Sequence, residues 1–130
     1  MRRALQLAAV IGLLGGSAAM AAEAGQSCKT SHNLVGACFA VHGRLSVYNG
    51  TPSIRIWPTG TNRMLGVLDR QSQPESHEVV PPSVEALLTA DPFSTEIYGD
   101  YEVCPFEKDT TGAMRAVCIE SATHLTARRR

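Results

Sequence analysis

A small, mainly β domain of five strands, with one short helix between the third and fourth, is what this sequence predicts. Three observations carry that prediction. Apolar and polar residues alternate with a period of two from Cys38 to Tyr48 and again from Thr95 to Phe106. Asn49-Gly50 is a strong hairpin signal, and just beyond it Ile54 and Ile56 alternate with Arg55 and Trp57. Polar, turn-forming stretches at Pro58–Asn62, Asp69–Pro82 and Glu107–Gly112 separate the apolar runs that remain.

Taken in order, the first strand puts Phe39, Val41, Gly43, Leu45 and Val47 on one face. Ala40, His42, Arg44, Ser46 and Tyr48 fall on the other. Gly43, in mid-strand, marks a bend or bulge. A two-residue turn would pair Tyr48 with Thr51, and a four-residue turn would pair it with Ser53. Either way, even-numbered residues of the first strand lie beside odd-numbered residues of the second, so the faces do not depend on the turn. The third strand, Met64 to Leu68, is apolar nearly throughout and is expected to be covered on both sides. Ser83 is expected to cap a short helix that buries Val84, Leu87 and Leu88 and ends at Asp91-Pro92. Thr95 to Phe106 and Met114 to Ser121 supply the fourth and fifth strands. This order is that of a five-stranded OB-like barrel, whose closure hides sheet edges. An open α+β sandwich is the alternative.

The chain of 130 residues has room for one domain. A basic start at Arg2-Arg3, an apolar run from Ala4 to Leu14 and small residues up to Ala19-Met20-Ala21 form a secretory signal peptide, expected to be cut before Ala22 or after Ala24. The predicted organisation is residues 1–21 signal peptide, 22–36 flexible lead-in, 37–124 β domain and 125–130 basic tail. The expected compartment is the periplasm or the exterior, with no membrane span after cleavage. The formal charge is zero, and loss of Arg2 and Arg3 leaves a slightly acidic chain. That charge argues against nucleic acid as a partner, which calls for a strongly basic domain. Arg128-Arg129-Arg130 read as a frayed, solvated tail.

Four cysteines in an exported chain of this size imply two disulfides. A hairpin centred on Thr111 would set Cys104 opposite Cys118, at a separation suited to a disulfide. Cys28–Cys38 would follow by elimination, although the same register sets Glu102 against Glu120. Zinc is the competing use, because Cys28/His32 and Cys38/His42 share one spacing. Residues four apart on a strand are about 13 Å apart, too far to share an ion, and no metal or cofactor is expected.

The segments His42-Gly43-Arg44-Leu45-Ser46, Tyr48-Asn49-Gly50-Thr51-Pro52-Ser53 and Arg55-Ile56-Trp57 carry a resemblance that continues at Gly99-Asp100-Tyr101-Glu102-Val103-Cys104-Pro105. The chain resembles small uncharacterised exported proteins of proteobacteria. That likeness implies a bacterial envelope location and brings no activity with it. In strand order alone the chain is similar to bacterial periplasmic OB-fold proteins, which bind ligands or partners rather than catalyse.

Nucleophile elbows, zinc-protease motifs and phosphate-cradling loops are absent from the sequence. His32, His77 and His124 fall in polar segments, and His42 alone is placed on a strand, where it reads as a cross-strand partner. Asp100 and Glu102 share a strand face about 7 Å apart, a spacing that also occurs between glycosidase carboxylates. The outward face of the first hairpin is the stronger candidate: His42, Arg44, Tyr48, Arg55 and Trp57, with Arg63 just beyond. Arginine and aromatic residues pair by cation–π contact and are enriched at binding hot spots. The expected function is a non-enzymatic binding or accessory domain that takes a small anionic ligand or an envelope protein on this face. A structural domain without a ligand, or a small hydrolase using His42 or Asp100/Glu102, is the alternative.

Overall fold

The computed structural model describes residues 27–73 and 79–130. The expected signal peptide, its cleavage site and His77 lie outside those residues. The strands are β1 (Phe39–Val47), β2 (Ile54–Pro58), β3 (Leu65–Val67), β4 (Thr95–Pro105) and β5 (Arg115–Arg129), and α1 (Pro82–Leu88) lies between β3 and β4. They form one sheet whose pairings run β1–β2–β3–β5–β4, and β4 pairs back onto β1. All pairs are antiparallel except β3 with β5.

The first hairpin follows the parity argument. Arg44 lies opposite Trp57 and Ser46 opposite Arg55. The Tyr48 amide donates to the Ser53 carbonyl at 2.8 Å, which selects the four-residue turn. Leu45, Val47 and Ile56 are buried inside the ring with Val67, Ile97 and Val103, each worth roughly 1.5–3 kcal/mol relative to exposure. Tyr101 joins them, and its hydroxyl donates to the Ile97 carbonyl at 2.7 Å. Gly43 faces Gly99 across β1 and β4. A Cβ at Gly43 would sit 2.7 Å from the Trp57 carbonyl oxygen, so glycine is what allows β2 to close against β1 there.

The helix differs from expectation at its start and on one face. Pro82 takes the first helical position, where a missing N–H costs nothing, and Ser83 makes no cap. Val84 and Leu88 are buried, whereas Leu87 is 37% exposed, because a seven-residue helix turns only one i, i+4 row onto the core. The described part of the lead-in, from Ser27 on, is also more firmly held than predicted. Cys28–Thr30 form a 3-10 turn, and Ser27 donates to Glu120 at 2.7 Å.

The predicted disulfide connectivity is corrected: the bonds are Cys28–Cys118 and Cys38–Cys104. Cys104 does lie opposite Cys118, as the hairpin argument required. However, β4 has a neighbour on each side, and the β1–β4 register carried one step past Phe39↔Val103 sets Cys38 opposite Cys104 as well. Cys118 is then left for Cys28, and the sulfurs of Cys28, Cys104 and Cys118 lie within 4.8 Å of one another. The Cys residues of the zinc alternative are thus both engaged in disulfides.

The basic tail is corrected too. β5 runs to Arg129, with Glu96 opposite Arg128 and Thr95 opposite Arg129, and the Arg130 amide donates to the Ser94 carbonyl at 2.9 Å. The long first half of β4 templates what composition alone reads as a frayed end. Two register shifts interrupt the β4–β5 ladder. At one, Glu120 is the extra residue, so Glu102 meets Ser121 and the expected Glu102–Glu120 opposition does not arise. At the other, His124 and Leu125 stand against Gly99, and His124 takes a left-handed φ of 53°. Bulges of this kind re-aim side chains.

Candidate functional site

The outer face of β1, β2, β4 and β5 carries a layer of arginines over aromatic rings. Its centre is one cross-strand row, in which Trp57 of β2, Arg44 of β1 and Tyr98 of β4 are direct neighbours. The Arg44 guanidinium lies 5.2 Å from the Trp57 ring centroid. The indole N–H donates to the Thr61 carbonyl at 2.6 Å, which fixes the ring across the second turn while leaving Trp57 41% exposed. Arg44, Trp57, Tyr98 and Thr59 line an open cleft of about 180 Å³.

A second row extends the layer. The Arg55 and Arg130 guanidiniums lie 5.0 and 4.9 Å from the Tyr48 ring, and Arg128 lies 5.0 Å from Tyr98. Glu96 organises this group: Arg44 and Arg130 each approach its carboxylate at 3.5 Å, and the Tyr98 hydroxyl donates to it at 3.3 Å. Four arginines against one carboxylate leave the layer strongly positive. Ser46 is sealed beneath it. Among the described residues, the buried side-chain polar atoms without a hydrogen-bond partner are Arg44 Nε and Ser46 Oγ, and both belong to this layer. Buried polar atoms elsewhere in proteins are nearly always paired.

Below this row on the same face lies a second cluster. Asp100 accepts from His42 Nδ1 at 2.7 Å through one carboxylate oxygen and from His124 Nδ1 at 2.9 Å through the other. Hydrogen bonds from His42 and then His124 hold the Asp100 carboxyl below the usual carboxylate range. Glu102 is paired with Lys29 at 2.7 Å. Burial opposes ionisation of Glu120, yet hydrogen bonds from Ser27 and from the Lys29 amide hold its carboxyl below the usual value.

The sequence-predicted residues divide accordingly. Arg44, Tyr48, Arg55 and Trp57 meet on one face, as alternation required, and His42 shares that face as a cross-strand partner of Asp100. Arg63 does not join them. It bonds Asp109 and the Thr110 carbonyl, which ties the second turn to the β4–β5 loop. Asp100 and Glu102 face histidines and a lysine rather than a shared space. Sequence reasoning missed Tyr98, Glu96, His124, Arg128 and Arg130. Tyr98 and Glu96 share the parity of Asp100, so the same alternation marks them, whereas only the bulge brings in His124.

No protein-family model, curated protein or solved structure matches this chain. No helix among the described residues is long and apolar enough to cross a membrane.

Proposed function

We propose that the closed five-strand ring is an OB-like barrel and that the protein is an exported, non-enzymatic binding domain of a bacterial envelope, periplasmic or secreted. It takes a small ring-bearing anion in the cleft between Trp57 and Tyr98. The observation that carries this reading is the Trp57–Arg44–Tyr98 row: two aromatic surfaces flank one cation at the mouth of an open cleft. The strand order, the parallel β3–β5 pair and the helix between β3 and β4 support the barrel assignment.

Size narrows the ligand. Drug-sized ligands occupy pockets of roughly 300–1,000 Å³, and a cleft of about 180 Å³ suits a single ring with one charged substituent. The layer's excess of guanidinium over carboxylate selects an anion.

Trp57 is the only tryptophan, so intrinsic fluorescence reports on this cleft directly. Phenyl sulfate combines a ring with a fixed negative charge and should quench or shift the emission with a Kd of roughly 0.1–1 mM. Arg44→Gln should raise that Kd about tenfold or more, the worth of a charge-assisted hydrogen bond. Unchanged Trp57 emission at about 10 mM phenyl sulfate would rule the reading out.

A further inference from the structure

The binding cleft and the histidine cluster are neighbours on one surface. His42 stands two residues before Arg44 on β1, and Asp100 two residues after Tyr98 on β4, so each is about 7 Å from a cleft residue along its strand. His124 reaches the same place through the bulge opposite Gly99. We propose that His42, Asp100 and His124 form a proton-controlled border of the anion site, so that the domain holds its anionic ligand more tightly as the medium acidifies. This rests on the reading of the Trp57–Arg44–Tyr98 cleft as an anion site.

Geometry sets the sign. Each imidazole donates from Nδ1 to its own oxygen of Asp100, which leaves both Nε2 atoms to face solvent. With both rings neutral, the cluster carries the single negative charge of Asp100 and repels an anion in the cleft. With both rings protonated on Nε2, the same three side chains carry one positive charge and attract it.

The other charged groups around the cluster are compensated or fixed. On β1 the next outward residue is Arg44, which stays charged throughout. On β4, Glu102 is held by Lys29 at 2.7 Å, and Glu96, beyond Tyr98, is held by Arg44 and Arg130. On β5, Glu120 is turned onto Ser27 and the Lys29 amide, and Arg128 lies over Tyr98. From the second turn, among the described residues, no charged group is paired with the cluster; the Thr59 amide donates to the His42 carbonyl at 2.9 Å, and Pro58 pairs with Gly43. His42 and His124 are therefore the ionisable groups on this face whose charge is not already fixed or compensated by a neighbour. Exposure favours this role, since the two side chains are 61% and 83% accessible and their protons exchange with solvent.

The test titrates the full chain with phenyl sulfate, whose charge is constant over the range, and reads Trp57 emission at about pH 8 and about pH 5.5. The Kd should fall roughly fivefold on acidification, the effect of two charges some 7–10 Å away in a solvated setting. In the double variant H42Q/H124N the ratio between the two pH values should collapse to near one. Asparagine suits position 124 because it tolerates a left-handed φ. Binding that is equal at both pH values in the native chain overturns the proposal, as does a pH ratio that survives the double substitution. Both results leave the anion site standing. Absence of binding at either pH overturns the anion site itself, and this inference with it.

Discussion

Gly43→Ala is the most direct test of how the fold places Trp57. The new methyl would lie 2.7 Å from the Trp57 carbonyl oxygen and 3.2 Å from Pro58 Cα. Ordinary contact begins near 3.4 Å, so the shortfall at the oxygen is about 0.7 Å. The obstructing atoms are backbone, and no side-chain rotation relieves them. β2 must retreat from β1, stretching the pairs Gly43↔Pro58 and Arg44↔Trp57. Overpacking of this kind costs about 1–3 kcal/mol, and a weakened ladder bond adds about 1 kcal/mol. Together they predict a loss of about 2–4 kcal/mol, or about 8–16 °C in Tm at about 4 °C per kcal/mol for a domain of this size. The assay is thermal and urea unfolding of the oxidised protein, followed by far-UV circular dichroism and by Trp57 emission, with the coincidence of the two as the two-state check. Gly36→Ala is the control. Its methyl would meet Pro105 Cγ at 3.7 Å, an ordinary contact, and stability should hold within about 0.5 kcal/mol. A Gly43→Ala protein within about 1 kcal/mol of the native one would refute the claim that the backbone of β2 closes on this glycine.

Peptide mapping under non-reducing conditions should recover Cys28 with Cys118 and Cys38 with Cys104. Replacing the Cys28–Cys118 pair by serines should cost roughly 3–4 kcal/mol in chain-entropy terms, since with Cys38–Cys104 in place that bridge closes only the short path through the second bond; recovery of a Cys104–Cys118 peptide would contradict the structure. Removing Arg128–Arg130 takes away two guanidinium–ring contacts, the Glu96 pair and the Arg130 amide bond. It should lower stability by roughly 1–2 kcal/mol, and a Tm indistinguishable from that of the full chain would restore the frayed-tail picture. The folded-state pKa of Asp100 is depressed, so its contribution is present above its unfolded value of about 3.9 and is lost as pH falls through the folded value. Asp100→Asn should therefore flatten that part of the acid limb of the stability profile, and an acid limb identical in the two proteins would count against the His42–Asp100–His124 geometry.

How much of this was legible in the sequence follows from the range of each signal. The two faces of the first hairpin were readable because side-chain parity is local and survives ignorance of the turn. Arg44, Tyr48, Arg55 and Trp57 therefore came out on one surface before any pairing was known. The third strand and the helix were visible as short apolar runs, while the cap and the role of Leu87 depended on how long the helix would be. Arg63 sits only six residues beyond Trp57, yet a turn intervenes, parity lapses there, and Asp109 on a distant loop captures it. His124 was unreadable as a site residue because its direction is set by a bulge, and a bulge in β5 exists only with respect to β4.

β4 accounts for most of what local reasoning missed. A strand with two long partners gives each of its residues two cross-strand neighbours, and a hairpin argument supplies only one of them. Cys104 was matched with Cys118 on β5, although Cys38, one residue before β1, stands beside it on the other side. Asp100 was read with Glu102 along its own strand, whereas its partners are His42 on β1 and His124 on β5. Tyr98 and Glu96 sit between Arg44 on one side and Arg128 on the other, which is why an arginine run at the end of the chain completes a layer begun by the first hairpin. The same central strand thus builds the disulfide corner, the histidine cluster and the arginine–aromatic cleft. Their order along β4, with Glu96 and Tyr98 first, Asp100 next and Cys104 last, makes the cleft and the histidine cluster neighbours on one face.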